Sequence, residues 1–128
     1  MKKVSANKSA TLFGHEVFTG DVVEFLDILW NSSSVRTIAY FNAHTCNLCH
    51  HDAEYRAVME SIDLIYLDGM APVKTISKKS NTRVERINAG DFFHRFLWKC
   101  KATGKTVALI GSDLNTIQTT VYSFHEIG

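Results

Sequence analysis

A single carboxylate, Asp68, closes the apolar run Leu64–Ile65–Tyr66–Leu67, and Gly69 follows at once. The run reads as a buried parallel strand. The glycine permits a tight turn or a close backbone approach. Open α/β sheets hold their ligands at the carboxyl ends of the strands. A carboxylate there can take a proton or hold a polar substrate. Asn42 closes an earlier apolar strand, Val35–Phe41, and brings both a donor and an acceptor. Arg86 and Asp91 open a third unit, and Gly111–Ser112 follows a fourth apolar run. Arginine can grip a diphosphate with two parallel hydrogen bonds. Backbone N–H groups at a helix start suit an anionic phosphate. Each residue also has a plainer use: Asp-Gly is a common turn, Asn42 and Asp91 can cap the helices that follow, and Arg86 can be a solvated loop residue.

The loudest local pattern is His44–Thr45–Cys46–Asn47–Leu48–Cys49–His50–His51. Cys-x-x-Cys-His is the attachment pattern of c-type haem. That chemistry needs export, and no apolar stretch follows the basic Met1–Lys8 as a signal peptide requires. A zinc site would need two ligands beyond Cys46 and Cys49. Cys100 stands alone, and adjacent histidines on a helix point about 100° apart. A thiol pair at a helix N-terminus can also be redox-active through a lowered pKa. Set against these is the reading of both cysteines as small apolar helix residues. That last reading predicts no bound metal and no cofactor.

The elements that must position these residues follow from pattern. Residues 1–9 read as a flexible N-terminus. Leu12–Phe18 can form a hairpin around Gly14–His15. Thr19 or Asp21 can cap a helix, and Glu24 lies three residues after Asp21 as a capping box requires. Val22, Phe25, Leu26 and Leu29 share one face of that helix, which Asn31–Ser34 ends. A helix runs from His44 to about Ser61, and a shorter one from Ala71 to about Lys78 with Pro72 in its first turn. Lys78–Arg86 is polar and reads as a surface loop. Gly90 or Asp91 starts a helix that buries Phe92, Phe93, Phe96, Leu97 and Cys100 and ends at Gly104. Thr106–Ile110 reads as a strand and Leu114–Phe124 as a last helix.

Alternating strands and helices predict an α/β fold, with a mainly parallel, Rossmann-like sheet and flanking helices. The right-handed crossover rule then gathers Asn42, Asp68 and Gly111 along one sheet edge. At 128 residues the chain reads as a single domain over 10–128. A net charge of +1 provides no broad field for nucleic acid. No run of 18 apolar residues is present, so no transmembrane helix is expected. Three cysteines without a secretion signal fit a cytoplasmic protein.

The order strand–Asn42, strand–Asp68–Gly69, then Arg86–Ile87–Asn88–Ala89–Gly90–Asp91 resembles the WecG/TagA/CpsF glycosyltransferases. Leu12–Phe13–Gly14–His15–Glu16–Val17 is similar to that family's N-terminal turn. Asp52–Ala53–Glu54–Tyr55–Arg56 is similar to its Asp-Pro-Glu-Leu-Arg pattern. The likeness runs from about Leu12 to about Gly111. It implies transfer of an N-acetylmannosamine-type sugar from a UDP-sugar to a lipid-linked acceptor, in cell-surface polysaccharide synthesis. It makes Asp68 the base, Asn42 a sugar contact, and Arg86 with Gly111–Ser112 the nucleotide side. Gly69 and Asp91 are further substrate-binding positions. The chain departs from the family at Tyr40, where a threonine is usual, and at Ala89, where a glycine is usual. The family's chains are much longer, with further strands and a basic C-terminal appendage that approaches the membrane. The likeness therefore predicts an incomplete fold, in a truncated form or a short natural relative, and a homo-oligomer through uncovered apolar surface. It also predicts a location in the cytoplasm or at the inner membrane face. Two other classes stay open: a non-catalytic binding or assembly module of this fold, and a small Cys-x-x-Cys metal or redox protein.

Overall fold

A computed structural model describes residues 8–126. The expected flexible segment 1–9 lies outside the described residues up to position 7, and Ser9 already belongs to a strand. The chain divides into two compact units, one running to Phe96 and one from Leu97.

The first unit opens with an antiparallel hairpin of β1 (Ser9–Leu12) and β2 (His15–Phe18). Its two turn residues, Phe13 and Gly14, have φ of 49° and 84°. Two left-handed residues give the turn whose twist matches a two-residue hairpin. Helix α1 (Val22–Trp30) starts at Asp21, whose carboxylate accepts from the Val23 and Glu24 N–H groups, while Glu24 accepts from the Asp21 N–H. The capping box is therefore complete.

Strand β3 (Ile38–Phe41) pairs in parallel with β4 (Leu64–Leu67), Ile38 opposite Leu64 and Phe41 opposite Leu67. The strand expected over Val35–Phe41 is shorter at its start. The helix expected over His44–Ser61 is two helices, α2 (Ala43–His51) and α3 (Ala53–Glu60). The break is at Asp52, whose carboxylate accepts from the Glu54 and Tyr55 N–H groups. Arg56 then reaches back and donates to the Cys49 and His50 carbonyls at 2.6 and 2.9 Å, satisfying the end of α2. The Asp-x-x-x-Arg spacing is thus a joint between two helices. Helices α4 (Met70–Ser80) and α5 (Ala89–Ala102) complete the set in this part of the chain.

Both faces of β4 are covered, whereas β3 leaves Ile38 and Tyr40 exposed. Phe41, Ile65 and Leu67 pack with Leu12, Val17, Cys49, Met59, Val73 and Ile76 on one side. Leu64 and Tyr66 pack with Phe18, Phe25 and Ile87 on the other. All four residues of β4 are buried, as expected of a strand with helices on both faces. The segment expected to be a surface loop, 78–86, is partly core: α4 extends to Ser80, and Val84 is buried.

In the second unit, α5 ends in a Schellman cap. The Lys105 N–H donates to the Cys100 carbonyl and the Gly104 N–H to Lys101, with Gly104 at φ 66°. The expected strand Thr106–Ile110 forms no ladder. It is extended and alternates, with Val107 and Leu109 half-buried and Ile110 98% exposed, but it has no neighbour to pair with among the described residues. Val107 and Leu109 line an apolar cavity of about 240 Å³ with Ile117, Val121 and Phe124 of α6 (Leu114–Glu126). The described strands are therefore one parallel pair and one antiparallel hairpin, where a mainly parallel sheet was expected. The class is mixed α/β.

Candidate functional site

The parallel ladder continues one residue past its strands. The Asp68 N–H donates to the Phe41 carbonyl at 2.9 Å, which sets Asp68 beside the start of the Asn42 loop. Gly69 follows with φ 171° and ψ 149°, an extended conformation open to any residue. Its reason is space: a Cβ there would meet Asn42 Cβ at 3.2 Å and Asn42 Cα at 3.3 Å. Of the two uses expected for this glycine, the close approach is the one observed. The two strand-end loops touch through it.

Asn42 caps α2, its Oδ1 accepting from the Thr45 N–H at 2.9 Å. The buried Thr45 hydroxyl accepts from the Asn42 N–H and reaches back to the Tyr40 carbonyl. This ties the side chain of Asn42, through Thr45, to the backbone at the end of β3. The helix after Asp68 is different. Gly69 gives α4 no side-chain cap, so the N–H groups of its first turn face outward with the positive end of the helix dipole.

Arg86 arrives on the segment after α4. The Ile87 N–H donates to the Leu67 carbonyl at 3.0 Å, and Ile87 is buried. Anchored so, Arg86 places Nε 3.8 Å from Asp68 Oδ1, the side chains being 39% and 22% exposed. At that distance the contact is a charge pair without a hydrogen bond, worth no more than about 1 kcal/mol in this exposure. Both groups keep their hydrogen-bonding capacity for a ligand. Beneath them Tyr66 is buried, and burial, then the Asp68 charge, then Tyr40 push its phenol up to about 12.

The start of α5 differs from expectation. Asn88, not Gly90 or Asp91, caps it: its side chain accepts from the Gly90 N–H at 2.8 Å and its carbonyl from Phe92. Asp91 sits exposed in the first turn. Gly111 and Ser112 lie in the second unit, with φ of 132° and 59°. The helix they lead into already carries a carboxylate, since Asp113 accepts from the Thr116 N–H and hydroxyl at 3.0 and 2.6 Å. The structure thus brings together Asn42, Asp68, Gly69 and Arg86. Sequence reasoning missed Thr45 and Asn88, though an asparagine just before a helix is a cap signal. It also missed Tyr66, which reads as ordinary strand core.

The rival centres look different. Cys49 is buried in the core and Cys46 packs against it. Burial, then the neighbouring Cys49, pushes the Cys46 thiol up to about 11, and burial raises Cys49 as well. The lowered pKa that redox chemistry needs is reversed here. No three His, Cys, Asp or Glu side chains gather as a metal site among the described residues. A cavity of about 610 Å³ lies at the other end of β4, lined by Asp63, Leu64 and Ile65 together with β2 and Arg36. Its lining includes none of Asn42, Asp68 and Arg86. At the strand ends a carboxylate, an amide and a guanidinium converge. No helix of the described residues is long and apolar enough to cross a membrane.

Compared with known families, residues 10–126 match the glycosyl transferase WecG/TagA/CpsF family. The match spans most of the chain, and the chain belongs to that family.

Proposed function

We propose that this member of the WecG/TagA/CpsF glycosyltransferases moves an N-acetylmannosamine-type sugar from a UDP-sugar to a lipid-linked acceptor in cell-surface polysaccharide synthesis. The acceptor hydroxyl attacks the anomeric carbon and a new C–O bond forms. The bond from that carbon to the diphosphate oxygen breaks, and UDP leaves with the electron pair. Asp68 takes the hydroxyl proton as it is lost. Asn42 holds the sugar. Arg86 and the open N-terminus of α4 meet the charge that grows on the diphosphate. Asp91 and the Gly111–Ser112 turn belong to the same proposal as ligand contacts of lesser weight. The reaction takes place at the cytoplasmic face of the membrane, in a homo-oligomer that covers apolar surface such as Ile110, Leu114 and Tyr122.

The observation that carries this reading is the meeting of Asn42, Gly69, Asp68 and Arg86 at the ends of two paired strands. The test is Asp68→Asn, which keeps shape and loses the ability to accept the proton. Transfer of labelled sugar to the lipid acceptor should fall about 10²–10⁴-fold, with circular dichroism unchanged. Normal turnover in Asp68→Asn removes Asp68 as the base.

A further inference from the structure

Tyr40 stands two residues before Asn42 and directly opposite Tyr66, which stands two residues before Asp68. Side chains alternate along a strand, so Tyr40 and Asn42 leave β3 on one side while Phe41 points into the other half of the core. The two tyrosine rings lie 5.9 Å apart, tilted by 49°. Their exposure is opposite. Tyr66 is buried between Phe25, at 5.0 Å, and Phe92, at 5.5 Å and edge-on, whereas Tyr40 is 41% exposed. An exposed tyrosine alone is ordinary. This one rests on the buried Tyr66 and is still 41% exposed, two residues before Asn42 on the strand end that pairs with the one carrying Asp68. Burial first, then Asp68 and then Tyr40 raise the Tyr66 phenol, so both groups act on the ring beneath Tyr40.

We infer that Tyr40 is a specificity-determining residue, whose exposed ring is the platform on which the donor's pyranose ring lies while Asn42 and Asp68 address its polar edge. A pyranose has a face of C–H bonds, polarised positive, and an aromatic ring has a negative face. Stacking the two buries apolar surface on both partners and leaves the sugar's hydroxyl edge to Asn42. Tyrosine gives this area at low cost in conformational freedom, having only two side-chain torsions, and the Tyr66 contact restricts it further. The inference rests on the transferase reading above and adds to it the residue that recognises the sugar.

The test is calorimetric titration of the full chain with UDP-N-acetylmannosamine and, separately, with UDP. Tyr40→Val, which keeps strand propensity and brings no hydroxyl, should weaken the sugar nucleotide roughly tenfold, the scale of one aromatic stacking contact, and leave UDP unchanged. Tyr40→Phe should bind as the unmutated chain does, because the ring face and not the hydroxyl does the binding. Unchanged sugar-nucleotide affinity in Tyr40→Val overturns the platform, as does an equal loss for UDP or a Phe variant as weak as Val. Those failures leave Asp68 and the transferase reading standing. An unmutated chain that binds neither ligand overturns both.

Discussion

Twice the chain runs an extended apolar segment into a glycine and then a helix. Leu64–Leu67 leads through Asp68 and Gly69 to α4, and Val107–Ile110 leads through Gly111–Asp113 to α6. In the first case the strand is paired and wholly buried, the glycine is extended, and the helix start carries no side-chain cap. In the second the segment is unpaired, two residues are left-handed, and the helix start holds the Asp113 carboxylate. The first turn presents its carboxylate beside the strand's end and leaves the helix open. The second turns its carboxylate inward onto the helix. An apolar run with a glycine is therefore half of a site. The other half is a neighbouring strand that fixes where the turn points.

The widest separation between the two regions should appear in stability. Phe25 is fully buried against Phe18, Tyr66 and Phe92. Phe25→Ala should cost about 3–5 kcal/mol in urea unfolding. Tyr122→Ala, at a residue 73% exposed in α6, should stay within about 0.5 kcal/mol. Equal losses would mean that α6 is buried in solution, and the contrast between the units would fall.

The glycines separate by cause. Gly69→Ala presses a methyl onto Asn42 and should cost about 1–3 kcal/mol as overpacking does, with sugar-nucleotide binding weakened as Asn42 moves. Gly111→Ala meets no atom within 4 Å but sits at φ 132°, so its cost is backbone strain of about 1 kcal/mol or more. Crystal structures of the two variants would check this: a displaced Asn42 in the first, a changed φ alone in the second.

Helix caps give a smaller step. Asp52→Ala and Asp113→Ala each remove one N-cap, for about 1 kcal/mol. Amide exchange should report the loss locally: faster over Glu54 and Tyr55 in one variant, over Thr116 and its neighbours in the other. Uniform loss of protection across the chain in both would join the two units into one cooperative body.

The least effect is that of acid. The Thr37 N–H and hydroxyl both donate to Asp63 at 2.8 Å and hold its carboxyl below its ordinary 3.8, while Thr116 does the same for Asp113. A carboxylate whose folded pKa is depressed adds stability above its unfolded value and loses it as pH falls through the folded one. Thermal midpoints should therefore decline below about pH 4, weakly because both groups are exposed and screened. Asp63→Asn should flatten that decline for the first unit, and an unchanged slope would remove Asp63 as a contributor.

Much of this was legible in residues. The unbroken apolar run Leu64–Leu67 read as a buried strand, which it is, and the capping box at Asp21 and Glu24 marked α1. The break at Asp52 was hidden because Leu48, Tyr55, Val58 and Met59 continue a plausible helical face across it. The Asp52 cap that makes the break is a local hydrogen bond, whose signal was the Asp-x-Glu beginning. Thr106–Ile110 has the alternation of a strand, but pairing belongs to the neighbour, which no local pattern supplies. For the candidate site, Asn42 and Asp68 were singled out by their place after strands. Their contact through Gly69 and the 3.8 Å approach of Arg86 depend on chain paths that meet only in the folded molecule.

The Thr45 bond to Asn42 settles which way the amide faces. A backbone N–H can be met only by oxygen, so Oδ1 points at Thr45 and the group cannot flip without losing the cap. What remains for a ligand is the NH₂ end. With Oδ1 taken up by the Thr45 N–H and, at 3.3 Å, the Thr45 hydroxyl, Asn42 offers a ligand its hydrogens. In the proposed donor site, a sugar substituent that presents a lone pair, such as an acetamido carbonyl, would suit this corner. One that must give a hydrogen away would need an acceptor elsewhere, and Asp68 is the carboxylate at the neighbouring strand end.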